Sequence, residues 1–129
     1  MRKLLMIAVA GWFWALGMHA SYADQLLGHY HALLSERDHF NSNGQRLTSA
    51  AAIIRQDRAN FHRFGLSDSE DEPDAFFADA GNRAALESML ERGRAGPGVI
   101  SRIVNGTPYV RVEVWRGRAG PYVVVTLED

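Results

Sequence analysis

The sequence contains no cysteine, and this absence excludes a disulfide framework, a Cys/His zinc signature and a thiol nucleophile. The sequence also lacks an excess of either charge, because 14 Lys and Arg residues face 15 Asp and Glu residues among 129. A protein that binds a nucleic-acid backbone or an anionic membrane surface needs a basic surplus. We therefore expect neither of these partners.

Linear catalytic motifs are missing as well. The chain has no G-x-S-x-G, no H-E-x-x-H, no P-loop and no G-x-G-x-x-G. The acidic stretch from Asp68 to Asp74 lacks the alternating ligands and central glycine of a calcium loop. We predict no cofactor and no metal. The expectation leans away from an enzyme, although acid/base sites need not leave a linear signature.

Residues 1–23 have the layout of a secretory signal peptide. A basic start at Arg2 and Lys3 precedes an apolar run from Leu4 to Met18, which is shorter than the roughly 20 residues of a membrane-spanning helix. Small side chains near Ala23 predict cleavage before Asp24. The sequence thus predicts a periplasmic or secreted protein, without a membrane span after cleavage, whose residues 24–129 form one small domain.

Most of this domain has apolar residues at helical spacing. One predicted helix has a capping residue at Thr48 or Ser49 and a glycine, Gly65, just past its end. The predicted helices cover residues 24–37, 49–64, a short segment that begins near Pro73, 83–92 and about 99–104.

The pattern changes to alternation after Pro108. Val110, Val112 and Val114 share one face of a predicted strand, and a glycine-rich turn leads to a second strand over 122–127. Pairing position 114 with 123, 112 with 125 and 110 with 127 places the apolar side chains together. The predicted fold is α+β, in which four or five short helices precede a C-terminal two-stranded antiparallel hairpin that packs on them.

The other face of this hairpin and its turn combine aromatic rings with guanidinium groups, as binding hot spots do. The predicted binding residues are Tyr109, Arg111, Trp115, Arg116, Arg118 and Tyr122. The leading hypothesis is a non-catalytic binding module for a protein or a glycan. The same face could instead be covered by another element or a second copy, and the hairpin edge could join an architectural envelope protein into a homodimer.

Asp57 is the second candidate feature, because it falls within the apolar stripe of the helix over 49–64. A carboxylate that faces the core needs a partner or gives up its charge. One interpretation is a structural tie to an arginine or an amide. The alternative is a hydrolase-like acid/base site in which Asp57 works with His39 or His62. On the predicted first helix, His29 and His31 would lie on opposite sides and could not share a metal ion.

Overall fold

The computed structural model describes residues 23–128, so the predicted leader up to residue 22 lies outside the described residues. The strands are β1 (Gln25–Leu33), β2 (Arg94–Ala95), β3 (Tyr109–Gly117) and β4 (Gly120–Leu127). The α-helices are α1 (Ala50–His62), α2 (Ala80–Ala84), α3 (Leu86–Arg92) and α4 (Pro97–Asn105). Two single 3-10 turns cover Glu36–His39 and Phe76–Ala78.

The predicted α+β class is confirmed, but the sheet is larger than a hairpin. Its strand order is β1-β3-β4-β2, with β2 parallel to β4 and the other neighbours antiparallel. Within the hairpin, Val114 pairs with Val123, Val112 with Val125, and Trp115 with Tyr122, as predicted. Because β3 also pairs with β1 along its length, it is an interior strand of a four-stranded mixed sheet.

The prediction of a helix over 24–37 is wrong, because this segment forms β1. Its leucines fit a helical stripe, but Tyr30, Ala32 and Leu34 also alternate and are all buried. Strand pairing satisfies the open edge of β3, which a helix would have left unpaired. Residues two apart on a strand share a face. His29 and His31 thus lie side by side, with ring centroids 6.2 Å apart.

The remaining helices follow the sequence pattern with shifted ends. Helix α1 begins after Ser49, whose hydroxyl accepts a hydrogen bond from Ala52 N–H. The predicted helix over 83–92 divides at Ala85 into α2 and α3, and Asp79 caps α2. The segment after Pro73 forms only the 3-10 turn Phe76–Ala78.

The helices cover one face of the sheet only. The buried core joins the inner side chains of the strands to α1, α3 and α4. Its members on these elements include Tyr30, Val112, Val114, Val123, Val125, Ile53, Ile54, Leu86, Met89 and Ile103. The strand residues of opposite parity are partly or fully exposed. Among residues 23–128, one face of the sheet is therefore left uncovered.

Both outer edges of the sheet are partly covered. The acidic loop contacts the end of β1, where the carboxylates of Asp71 and Glu72 accept the N–H groups of Leu33 and His31. At the other edge, β2 pairs with only two residues of β4, and Arg92 donates to Pro121 O. β3 therefore has no free edge, whereas β4 pairs with β2 over only a small part of its length. None of the helices within residues 23–128 has the length and apolarity needed to cross a bilayer.

Candidate functional site

The open side of the sheet, here called the outer face, carries rows of side chains that run across the strands. From the register, one row contains Leu26, Trp115 and Tyr122, and the next contains His29, Glu113 and Val124. A third row contains His31, Arg111 and Thr126, and a fourth contains Leu33 and Tyr109. Four of the six predicted binding residues, Tyr109, Arg111, Trp115 and Tyr122, thus share this face.

The Tyr122 side chain extends across β3. Its hydroxyl donates to Asp24 Oδ2 at 2.6 Å, although Asp24 precedes β1 and β3 lies between β1 and β4. The ring can cross β3 because Gly117 has no side chain, and a Cβ there would come within 2.8 Å of Tyr122 Cε1. The hydrogen bond to Asp24 also raises the pKa of the Tyr122 phenol.

The Trp115 ring is parallel to this tyrosine within 8°, with centroids 6.5 Å apart. Both rings remain partly exposed. We call these two rings, which both lie on the outer face, the aromatic platform. Trp115 Nε1 is buried and makes no hydrogen bond among the described residues.

The middle of the outer face carries charges that are paired with one another. Arg111 Nη2 lies 3.2 Å from Glu113 Oε2, and both side chains are partly exposed. The His31 ring stacks on Tyr109 with centroids 5.7 Å apart, and His31 Nδ1 contacts the Glu72 carboxylate. This contact lowers the pKa of Glu72. The outer face thus has mixed charge rather than a field of one sign.

The other two predicted binding residues do not join this face. Arg116 has the parity of Val114, which points to the opposite side, and Arg118 lies in the turn between the strands. Sequence analysis missed Asp24, Leu26, His29 and His31 as members of the face, because it assigned their segment to a helix. The alternation of Tyr30, Ala32 and Leu34 was the signal that could have placed them.

Asp57 lies at the centre of a buried polar cluster. Its side chain is 1% exposed, and its Oδ2 accepts from Arg58 Nε at 2.8 Å. Burial raises the pKa of the Asp57 carboxyl well above its usual range, and the charge of Arg58 offsets part of this effect. Among the described residues, the Asp57 carboxylate contacts Arg58 and no histidine. This is the geometry of a structural tie.

Arg58 organises this cluster. The guanidinium is fully buried between two aromatic rings, with Cζ 3.9 Å from the centroid of Tyr30 and 4.7 Å from that of Phe61. Its Nη1 donates to Asp74 Oδ1 at 2.9 Å and to Glu72 O at 3.0 Å. Arg58 therefore joins α1 to β1 and to the acidic loop.

The two candidate histidines have separate roles. His62 Nε2 lies 2.8 Å from Asp74 Oδ1, so it reaches the Arg58 cluster only through that carboxylate. His39 is buried, and its ring nitrogens each lie 2.7 Å from a backbone carbonyl, of Ser35 and of Ile103. His39 thus fastens the first 3-10 turn to α4.

The described residues contain no group of three or more His, Asp or Glu side chains placed to hold a metal ion. No protein-family model, curated protein or solved structure matches the chain.

Proposed function

We propose that the protein is a non-catalytic binding module of the periplasm or the extracellular space, and that its outer face binds an oligosaccharide chain. The export part of this proposal depends on the signal-peptide pattern of residues 1–23. The binding part depends on one observation above all, the pair of parallel, partly exposed rings of Trp115 and Tyr122 on the outer face of the sheet.

A pyranose ring has an apolar face of C–H groups and a rim of hydroxyls. A flat aromatic surface gains dispersion contact with the apolar face, and nearby polar groups can bind the rim. Beside the platform, the Asp24 carboxylate, the Tyr122 hydroxyl and the Arg111–Glu113 pair offer both donors and acceptors. The paired charges also suit a neutral ligand better than a highly charged one.

A protein partner fits this face less well. Protein hot spots are built from aromatic or arginine anchors that enter well-packed pockets on the partner. Here both rings are only partly exposed on the face of a sheet, and the only polar atom of the Trp115 side chain is already buried. Partly covered rings suit a ligand that lies on the face more than they suit insertion into a pocket on a partner.

The test is titration of the protein with two neutral oligosaccharides, cellohexaose and chitohexaose. With Trp12→Phe and Trp14→Phe, Trp115 becomes the only tryptophan and its fluorescence reports binding directly. We expect a saturable change with at least one sugar, and calorimetry should give the same affinity. Tyr122→Ala should weaken binding about tenfold or more, since loss of an aromatic anchor commonly costs at least 1.4 kcal/mol.

Two variants complete the design. Tyr122→Phe keeps the ring but loses the bond to Asp24, and should retain most of the affinity. Ile100→Ala removes an exposed apolar side chain from α4, which packs on the helical side of the sheet, and should leave binding unchanged. Failure of both sugars to bind, or binding that survives Trp115→Ala, would overturn the proposal. Trp115-dependent capture of a protein without sugar binding would assign the face to a protein partner instead.

A further inference from the structure

A concave surface, separate from the outer face, lies on the helical side of the molecule. It is an open pocket of about 340 Å³ between the segment after the first 3-10 turn and the end of α1. The residues that matter for its chemistry are Arg37, Phe40, Gln56, Asn60, Phe64 and Leu66. The volume is at the lower end of the range for small-molecule sites, about 300–1,000 Å³.

The apolar wall of this pocket is built by the end of α1. Phe64 and Leu66 are 42% and 46% exposed, although they are large apolar side chains. They flank Gly65, whose φ of +64° ends the helix, and Leu66 N–H donates to Asn60 O at 2.8 Å. The helix end is therefore held in place with two apolar side chains presented to solvent beside a cavity.

The floor is polar and ordered. Asn60 is buried, and its amide donates to Asp38 Oδ1 and accepts from Gln56 Nε2, each at 2.9 Å. The other oxygen of Asp38 accepts from Ser35. These bonds fix the orientation of the Asn60 amide, while Gln56 keeps its own carbonyl oxygen and one N–H available. Such a floor can bind a polar ligand group without rearranging.

The rim is positively charged. Arg37 is exposed, and its guanidinium makes no hydrogen bond or ion pair among the described residues. Arg63 lies over the Phe64 ring, with Cζ 5.0 Å from the ring centroid. The only carboxylate tied to the floor, that of Asp38, is buried with both oxygens occupied. A guanidinium beside an apolar wall matches a carboxylate joined to an apolar body.

We propose that this pocket binds a small carboxylic acid with an apolar body. The carboxylate pairs with Arg37 and reaches the amides of Gln56 and Asn60. The apolar body lies against Phe40, Phe64 and Leu66. This site is independent of the outer face, so either proposal can fail without the other.

The test compares 3-phenylpropionate and hexanoate with 3-phenylpropionamide, which has the shape of the first acid without its charge. Binding is measured by calorimetry and by saturation-transfer NMR on the wild-type protein at millimolar ligand. We expect the acid to bind about tenfold tighter than the amide, because hydrogen bonds to charged groups are the stronger ones.

Variants separate the charge from the wall. Arg37→Gln should bring the acid and the amide to similar affinities, whereas Phe64→Ala should weaken both ligands together. Arg55→Gln on the exposed side of α1 and Ile100→Ala on α4 are the matched controls and should change neither affinity. Because Arg37 and Phe64 are exposed, thermal unfolding should show that all variants are folded.

Three results would overturn the proposal: no saturable binding of either acid, equal binding of the acid and the amide by the wild-type protein, or acid binding that neither Arg37→Gln nor Phe64→Ala weakens.

Discussion

Replacing the buried Arg58 by methionine should destabilise the protein strongly, and by an amount that depends on pH. The Arg58→Met variant keeps an unbranched side chain between Tyr30 and Phe61 but removes the cation that both Asp57 and Asp74 contact. Breaking a buried ion pair on one side costs about 3–5 kcal/mol. A domain of this size has about 5–15 kcal/mol of stability in total, so the variant should remain folded only marginally at neutral pH.

The pH dependence follows from the carboxylates that are left behind. Burial already raises the pKa of Asp57, and loss of Arg58 removes the charge that opposes this shift. A carboxyl whose folded pKa lies above its unfolded value of about 3.9 stabilises the fold fully below that value, and this stabilisation is lost as the pH rises through the folded pKa. The stability difference between wild type and Arg58→Met should therefore shrink on acidification.

The assay is urea unfolding followed by far-ultraviolet circular dichroism at pH 7 and at about pH 4, near the unfolded carboxyl pKa. Arg55→Met on the exposed side of the same helix is the matched control and should change stability by less than about 0.5 kcal/mol. An Arg58→Met variant as stable as Arg55→Met, or a difference that is the same at both pH values, would refute the reasoning.

Three further predictions concern single contacts. Gly93→Ala should lower the free energy of unfolding by about 1–3 kcal/mol in thermal unfolding, because the new Cβ would lie 1.8 Å from Val123 O. The control Gly98→Ala in α4, whose Cβ would meet nothing within 4 Å, should be neutral or stabilising. The lowered pKa of the Glu72 carboxyl stabilises the fold above its unfolded pKa of about 4.3, and this stabilisation is lost as the pH falls through the folded pKa. The Glu72→Gln variant should therefore lose less stability in acid than the wild type, as measured by urea unfolding at several pH values. Asp71→Ala should speed hydrogen exchange at Leu33 N–H, which Asp71 Oδ1 binds, and unchanged exchange would contradict a shielding role for the loop.

Features with local causes were predictable from the sequence. The hairpin register followed from the alternation of Val110, Val112 and Val114 and from the glycine-rich turn, because both signals act within a few residues. Helix α1 followed from its cap and its stripe. The pairing of Trp115 with Tyr122 followed from the same register.

Features with distant causes were not predictable. The leucines of residues 25–34 fit a helical stripe, while Tyr30, Ala32 and Leu34 fit the alternation of a strand. The open edge of β3, about 80 residues later, decides between these two local patterns. The inward direction of Arg58 next to the inward Asp57 depends on two other segments, through the carboxylate of Asp74 and the ring of Tyr30. A lone arginine at that position would be expected to face solvent.

Alternating segments, helix caps and the pairing of rings across the hairpin depend on neighbours along the chain, so they can be predicted from the amino-acid pattern. The four-stranded sheet, the outer face that the described helices leave uncovered, and the meeting of Arg37 with Phe64 at a pocket depend on contacts between distant segments. Burial, strand pairing and charge compensation are satisfied there by partners that no local pattern records.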